Sequence, residues 1–342
     1  MTSPNSTKLK TPLILILPYW GHLPRWADLF FVSAAANPSV DIALISDRKI
    51  SVHVPSNVHV IEISRGQLAA KFEATLGIKL GEFGGHKLCD FRPFFGLIFA
   101  ELVGKYEFWG FCDIDIMFGN LSKVVNEDFL STVDVFTACD RQIVGHFTIV
   151  RNLKWTNELC YEISDWKYSL AETENTMLDE MPFYNAISSS SRCRLVQPKQ
   201  FDMEIRQSPC KFGVTFGFRG EIAFSANEQF GVARWCNGST FLQMPGRAEV
   251  EVLYIHFMGL KRWWHWLFYT KKGGGRRCQY FSRIGYGRSG TADVSREPWR
   301  SFYWIQLWLT QRKTYIGQTL RKRLSRETFR RLRRLLLGRS RY

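Results

Sequence analysis

The run Leu13-Ile14-Leu15-Ile16-Leu17 constrains this chain most: it is apolar at every position and closed off by Pro12 and Pro18. A strand with one solvated face alternates polar and apolar residues. A short run without alternation, cut by prolines, fits a strand buried on both faces. The following segments continue the pattern. Residues 24–36 read as a helix with Trp26, Leu29, Phe30 and Ser33 inward. Residues 41–47 and 58–63 read as strands, 67–76 as a helix, 91–102 as a long apolar helix and 108–114 as a strand. Residues 133–138 and 146–150 are further strands, and 154–166 is a helix. Such alternation predicts an α/β fold, with a mostly parallel sheet and helices on both faces. Ligands of such sheets bind at the carboxyl ends of the strands. Residues 188–250 give no clear pattern beyond a loop at Ser188-Ser189-Ser190-Ser191.

The strand at 108–114 ends in Asp113-Ile114-Asp115, after the aromatic stretch Tyr106-Glu107-Phe108-Trp109-Gly110-Phe111-Cys112. Alternate strand residues share a face, so both carboxylates can point out of the strand end while Ile114 turns inward. Two carboxylates in an apolar setting repel each other unless something positive compensates. A divalent cation would do so and could hold a diphosphate. Asp115, the second and outer carboxylate in this reading, is expected to bind it most directly.

Four other segments carry candidate chemistry. Tyr254-Ile255-His256 reads as a strand ending in a borderline metal ligand, and Lys261 offers a compact charge for phosphate; the alternative is an ordinary strand end with a solvated lysine. Lys87, Asp90 and Arg92 stand in an apolar context and suit sugar hydroxyls or phosphate oxygens; Asp90 could equally cap a helix starting near Pro93. Gly145-His146, after Asp140-Arg141-Gln142, reads as a pocket wall or as a strand with a surface histidine. Asp179 is either a base or acceptor-binding carboxylate, or part of a surface acid pair with Glu180. Tyr19 and Asp47 end the first two strands, where turn residues are also ordinary.

Charge divides the chain. The net charge of +15 hides a mildly acidic body, with 24 basic and 28 acidic residues up to 260, and a tail from Lys261 with 22 basic and 3 acidic residues. The eight cysteines show no C-x-x-C or zinc spacing and read as buried thiols suited to a reducing cytoplasm. The polar start and early Pro18 leave no signal-peptide core, and no apolar stretch is long enough for a spanning helix.

Taken in order, Pro18-Tyr19-Trp20-Gly21, Ile45-Ser46-Asp47, Lys87-x-x-Asp90-x-Arg92-Pro93, Phe108 to Asp115, Gly145-His146-Phe147 and His256-Phe257-x-Gly259 resemble the D-x-D glycosyltransferases of the GT-A type. The chain looks still more like bacterial glycosyltransferase-like proteins found with capsule and surface-polysaccharide genes. The resemblance implies a GT-A-like catalytic domain over 11–270, between a disordered 1–10 and a basic, largely helical tail over 276–342. It implies Mn²⁺ or Mg²⁺ on Asp113, Asp115 and His256. A nucleotide-sugar donor, UDP-sugar favoured, would lie with its base and ribose near Tyr19 and Asp47. Lys261 would face the diphosphate, Lys87 would contact the donor, and Asp90 and Arg92 the donor sugar. The retaining glycogenin-like branch shows H-x-x-G-x-x-K, whereas here Lys261 follows Gly259 by two. The His256 likeness favours retention over inversion.

In the tail, Gly273-Gly274-Gly275 reads as a linker. The aromatic groups Trp263 to Tyr269 and Pro298 to Leu309, with the arginine-rich 321–334, suit an anionic membrane surface. The expectation is a hexosyltransferase, peripheral on the inner face of the membrane, acting on a surface-polysaccharide or lipid-linked saccharide acceptor. Nucleic acid is the less favoured partner. The alternative is a non-catalytic nucleotide-sugar or polysaccharide-binding protein whose tail recruits partners or nucleic acid.

Overall fold

The computed structural model describes residues 12–24, 27–123, 125–139, 142–197, 210–211, 214–215, 232–243, 250–256, 278–282 and 286–287. The N-terminal ten residues, Trp26, Asp140 and Arg141, Lys261, the glycine linker and the tail beyond 287 lie outside these.

Strands β1 (Leu13–Tyr19), β2 (Val40–Ser46), β3 (Val58–Glu62), β4 (Phe108–Cys112), β5 (Ile116–Phe118), β6 (Val135–Thr137), β7 (Phe147–Arg151) and β8 (Leu195–Val196) belong to the first part of the chain. Seven of these form one sheet in the order β3-β2-β1-β4-β7-β6-β8, with only β7 running against the rest. The expected α/β class and mostly parallel sheet are therefore present. β1 shows why: Leu13, Leu15 and Leu17 belong to one apolar core, and Ile14 and Ile16 to another on the opposite face. Helix α1 (Ala27–Ala35) covers the first face with Leu29 and Phe30, and Ser33 is buried beside them. Helix α2 (Arg65–Leu76) covers the second with Leu68 and Phe72. Each such side chain contributes roughly 1.5–3 kcal/mol by leaving water. A capping box between Ser64 and Gln67 starts α2, and Gly77 ends it in the left-handed region.

Two expected helices are broken. Residues 91–102 are not one helix: a 3-10 helix, Gly85–Phe94, leads into single turns Phe95–Ile98 and Ala100–Val103. Pro93 has no amide to donate, and Phe99 leaves helical geometry between the two turns. Residues 154–166 likewise divide into Lys154–Asn157, a 3-10 turn Glu158–Glu162 and, after the left-handed Asp165, the helix Trp166–Ala171.

The hard-to-read stretch supplies further strands: β9 (Cys210–Lys211), β10 (Val214–Thr215), β11 (Val232–Cys236), β12 (Ser239–Gln243), β13 (Val250–Val252) and β14 (Tyr254–His256). The expected serine loop is in part the end of the helix Met181–Ser189. Two strands fall inside the presumed tail, β15 (Cys278–Ser282) and β16 (Tyr286–Gly287). They extend a six-stranded sheet, β16-β15-β11-β12-β13-β9. A small sheet, β10-β14-β5, brings the distant β14 against β5. Among the described residues no helix is long and apolar enough to cross a membrane.

Candidate metal centre at the carboxyl end of the sheet

β4 stops at Cys112, so neither carboxylate of the acid pair lies on the strand. Asp113 keeps one ladder-like bond, its amide donating to the His146 carbonyl at 3.2 Å. Residues 113–115 then form a turn into β5. Ile114 enters the core, as expected. The exposure of the two acids is reversed from expectation: the Asp113 side chain is 30% exposed and that of Asp115 only 3%. Asp113 is thus the outer carboxylate and Asp115 the inner one, because a turn rather than a pleat sets their directions.

His256 reaches this turn through sheet register. β14 runs antiparallel to β5, with His256 opposite Ile116, the residue after Asp115. Its Nε2 lies 3.4 Å from Asp115 Oδ1 and 3.7 Å from Asp113 Oδ2. Ligand atoms of the three residues all lie within 4.8 Å of one another. His256 is buried, yet among the described residues neither ring nitrogen has a hydrogen-bond partner; the carboxylates stand close to Nε2 without hydrogen-bond geometry. An imidazole buried this way loses its water without replacement. Two carboxylate oxygens and one imidazole nitrogen converging on one point are a donor set that fits a divalent cation.

The neighbours of His256 hold it in place. The His146 ring stacks on it at 4.2 Å between centroids, and His146 Nε2 is 2.9 Å from the Tyr254 hydroxyl. Burial, and then the proximity of His256, keep the His146 pKa well below the usual imidazole value, so the stack carries a neutral ring. His146 is buried, so the alternative of a strand with a surface histidine does not hold.

Arg92 and Asp179 join the same cluster. Arg92 Nη1 donates to Asp179 Oδ2 at 2.8 Å, and Nη2 donates to Asp113 Oδ1. Asp179 is no surface acid: it is buried, and burial lifts its pKa to about 6 although Arg92 opposes the rise. Gly145 packs against this pair, and a Cβ there would meet Arg92 Nη1 at 2.0 Å and Asp179 Oδ2 at 2.7 Å.

Lys87 and Asp90 are placed differently, and this corrects the expectation that they contact the donor and its sugar. Three residues apart on a 3-10 helix, they fall on one face, while Arg92 turns elsewhere. Lys87 Nζ donates to Asp90 Oδ2 at 2.8 Å and to the carbonyls of Ser169 and Glu174. Asp90 also accepts from the Thr176 amide and hydroxyl and from the Leu178 amide. Both side chains are fully engaged and at most 1% exposed. Asp90 is therefore neither a helix cap nor a surface ligand.

A second polar group lies on the same edge of the sheet, at the ends of β1 and β2. Gly21, at φ +97°, donates its amide to Asp47 Oδ1 at 2.7 Å, and Arg65 Nε donates to Oδ2 at 2.6 Å. Burial would raise the Asp47 pKa, but these bonds outweigh it and hold the carboxyl below its usual value. Arg65 also lies over the Trp20 ring, which stacks on Phe83. Tyr19 ends β1, partly buried. Arg65 carried no signal in the sequence, since it meets Asp47 only because α2 starts beside β2. Lys261 lies outside the described residues.

A model of a family of unknown function (DUF6625) matches residues 15–267. No curated protein matches the chain. Similar solved structures include the galactosyltransferase LgtC in complex with donor and acceptor sugar analogues, at 12% identity over 51% of this chain and 69% of that one, TM-score 0.29. An active-site mutant of LgtC is similar at 9% identity over 63% and 80%, TM-score 0.34. The apo form of mouse xyloside xylosyltransferase 1 is similar at 10% identity over 54% and 83%, TM-score 0.31. By the extent of the family match, the chain belongs to the family of unknown function DUF6625.

Proposed function

We propose that this protein is a divalent-cation-assisted glycosyltransferase that moves a sugar from a nucleotide-sugar donor to a saccharide acceptor. The observation that carries the proposal is the buried His256, without a hydrogen-bond partner among the described residues, facing Asp113 and Asp115. The reading also rests on the sequence resemblance and on a polar site around Asp47 along the same sheet edge. Asp113, Asp115 and His256 would hold the cation, and the imidazole in the set favours Mn²⁺ over Mg²⁺. When bound, the cation offsets the negative charge that develops on a departing nucleoside diphosphate.

The chain's own residues do the rest. Asp47 has lone pairs left to accept from ribose hydroxyls, and the Gly21 amide and Arg65 fix its orientation. Arg92 and the stacked His146 keep Asp113 and His256 facing one point. The acceptor hydroxyl oxygen bonds to the anomeric carbon as the bond from that carbon to the diphosphate oxygen breaks. We read the reaction as retaining, with the hydroxyl proton passing to the leaving oxygen, because Asp179, the acid adjoining the cation set, is already bonded to Arg92. A UDP-sugar is the favoured donor. A surface-polysaccharide or lipid-linked acceptor at an anionic membrane would suit the basic tail, where each cation near the lipid adds about 1 kcal/mol. Mn²⁺-dependent hydrolysis or transfer across a panel of nucleotide sugars tests the assignment, and equal turnover by wild type and Asp115→Asn would overturn it. Flotation of the full chain on anionic vesicles, reversed by high salt, tests the tail; equal flotation on neutral vesicles would rule out the electrostatic role.

A further inference from the structure

Arg92 is a cation that touches the cluster directly, and it does so in an unexpected sense. A positive charge beside a cation site weakens that site by repulsion, unless the charge is itself neutralised. Here Asp179 neutralises it from the far side, at 2.8 Å. The two Nη atoms of one planar guanidinium thus tie Asp179 and Asp113 into one line. Asp113 is the outermost of the three candidate ligands and sits on a turn, so among the described residues only His256 would hold its carboxylate without this bond.

Asp179 is in turn held by a staple. Asp90 accepts from Thr176 and from the amide of Leu178, the residue before Asp179. Lys87 holds the Glu174 carbonyl, and Asn175 donates to the His86 carbonyl. Gly145 leaves space for the Arg92–Asp179 pair that any other residue would fill. We infer that Arg92 is a positioning residue of the cation site: anchored by Asp179, it orients the Asp113 carboxylate, and the segment 86–92 places both ends of that link. The inference rests on the cation-binding part of the reading above, and requires nothing of the sugar chemistry.

The test is Mn²⁺ affinity of the full-length chain without donor, read from the free-ion electron paramagnetic resonance signal. Charge alone predicts that Arg92→Gln binds Mn²⁺ more tightly, since a cation is removed and the Asp179 charge is freed. Positioning predicts weakening by about 10–100-fold, the range for residues that orient a metal ligand. The double variant Arg92→Gln/Asp179→Asn restores the charge balance but not the link, and is expected to remain weakened. Arg92→Lys is expected to rescue poorly, because an ammonium cannot present the planar two-sided fork. Nitrogen modulation from His256 in the pulsed spectrum should persist in each variant, showing that the rest of the site is folded. Wild-type affinity in the double variant, or tighter binding by Arg92→Gln, overturns the inference. Wild-type Mn²⁺ affinity in Asp113→Asn instead overturns the cation reading itself, so the two failures are distinguishable.

Discussion

Two buried polar clusters lie within one apolar body, and they differ in one respect. Around Lys87 and Asp90, each charged group has partners: the ammonium has three acceptors, and the carboxylate has donors on both oxygens. Around Asp113 and Asp115 the imidazole of His256 has no hydrogen-bond partner among the described residues. Sequence alone made the two look alike, as charges in apolar surroundings. A satisfied cluster explains itself as structure, because desolvation is offset by hydrogen bonds. An unsatisfied one persists at a cost unless a ligand completes it. The difference therefore separates a staple from a site.

The largest effect expected from breaking this comparison is on the site. Asp115→Asn should lower Mn²⁺-dependent nucleotide-sugar turnover by more than ~100-fold, beyond what loss of an orienting partner costs, with little change in thermal unfolding of the metal-free protein. If turnover held while the melting temperature fell, the acid pair would belong with the staples. Lys87→Met should act in the opposite sense. It leaves Asp90 buried without its cation, which costs about 3–5 kcal/mol. Denaturant unfolding measures that loss. A stable Lys87→Met protein that no longer binds donor would return Lys87 to the site.

Asp134 adds another carboxylate to the satisfied class. Burial would raise its pKa, but the Arg194 side chain and amide, with Arg151 nearby, hold it below the usual range. The folded state therefore binds the proton less tightly than the unfolded chain does. Its contribution is present above about pH 4 and is lost as pH falls through the depressed folded value. Asp134→Asn should cost about 2 kcal/mol at neutral pH and flatten the acid limb of the stability curve. An unchanged acid limb would remove Asp134 from the class.

The smallest effect concerns what the staple sustains. Met177, between two residues pinned by Asp90, has φ +58° and is 51% exposed. Met177→Gly relieves roughly 1–2 kcal/mol of left-handed strain, less about 0.4–1 kcal/mol of added chain entropy. A net gain of about 0.5 kcal/mol in thermal unfolding is expected. Destabilisation instead would mean that the Met177 side chain makes a contact that matters.

Much of the molecule was legible in the sequence. Apolar runs, the first of them bounded by prolines, set out the sheet and both of its buried faces, because strand burial is a local property of alternation or its absence. The acid pair, His146 and His256 were legible as candidates for the same reason, each ending or starting an apolar run. Helix continuity was less so: 91–102 reads as a long, mostly apolar helix, but Pro93 has no amide to donate and Phe99 leaves helical geometry. Tertiary structure alone decided which charges meet. His256 reaches Asp115 through the register of β14 on β5. Lys87 and Arg92 share one short motif, yet 3-10 geometry turns the first into the staple and the second towards Asp113. A buried charge takes its role from its partners, and here those partners lie as far as 143 residues away in the chain, as His256 does from Asp113.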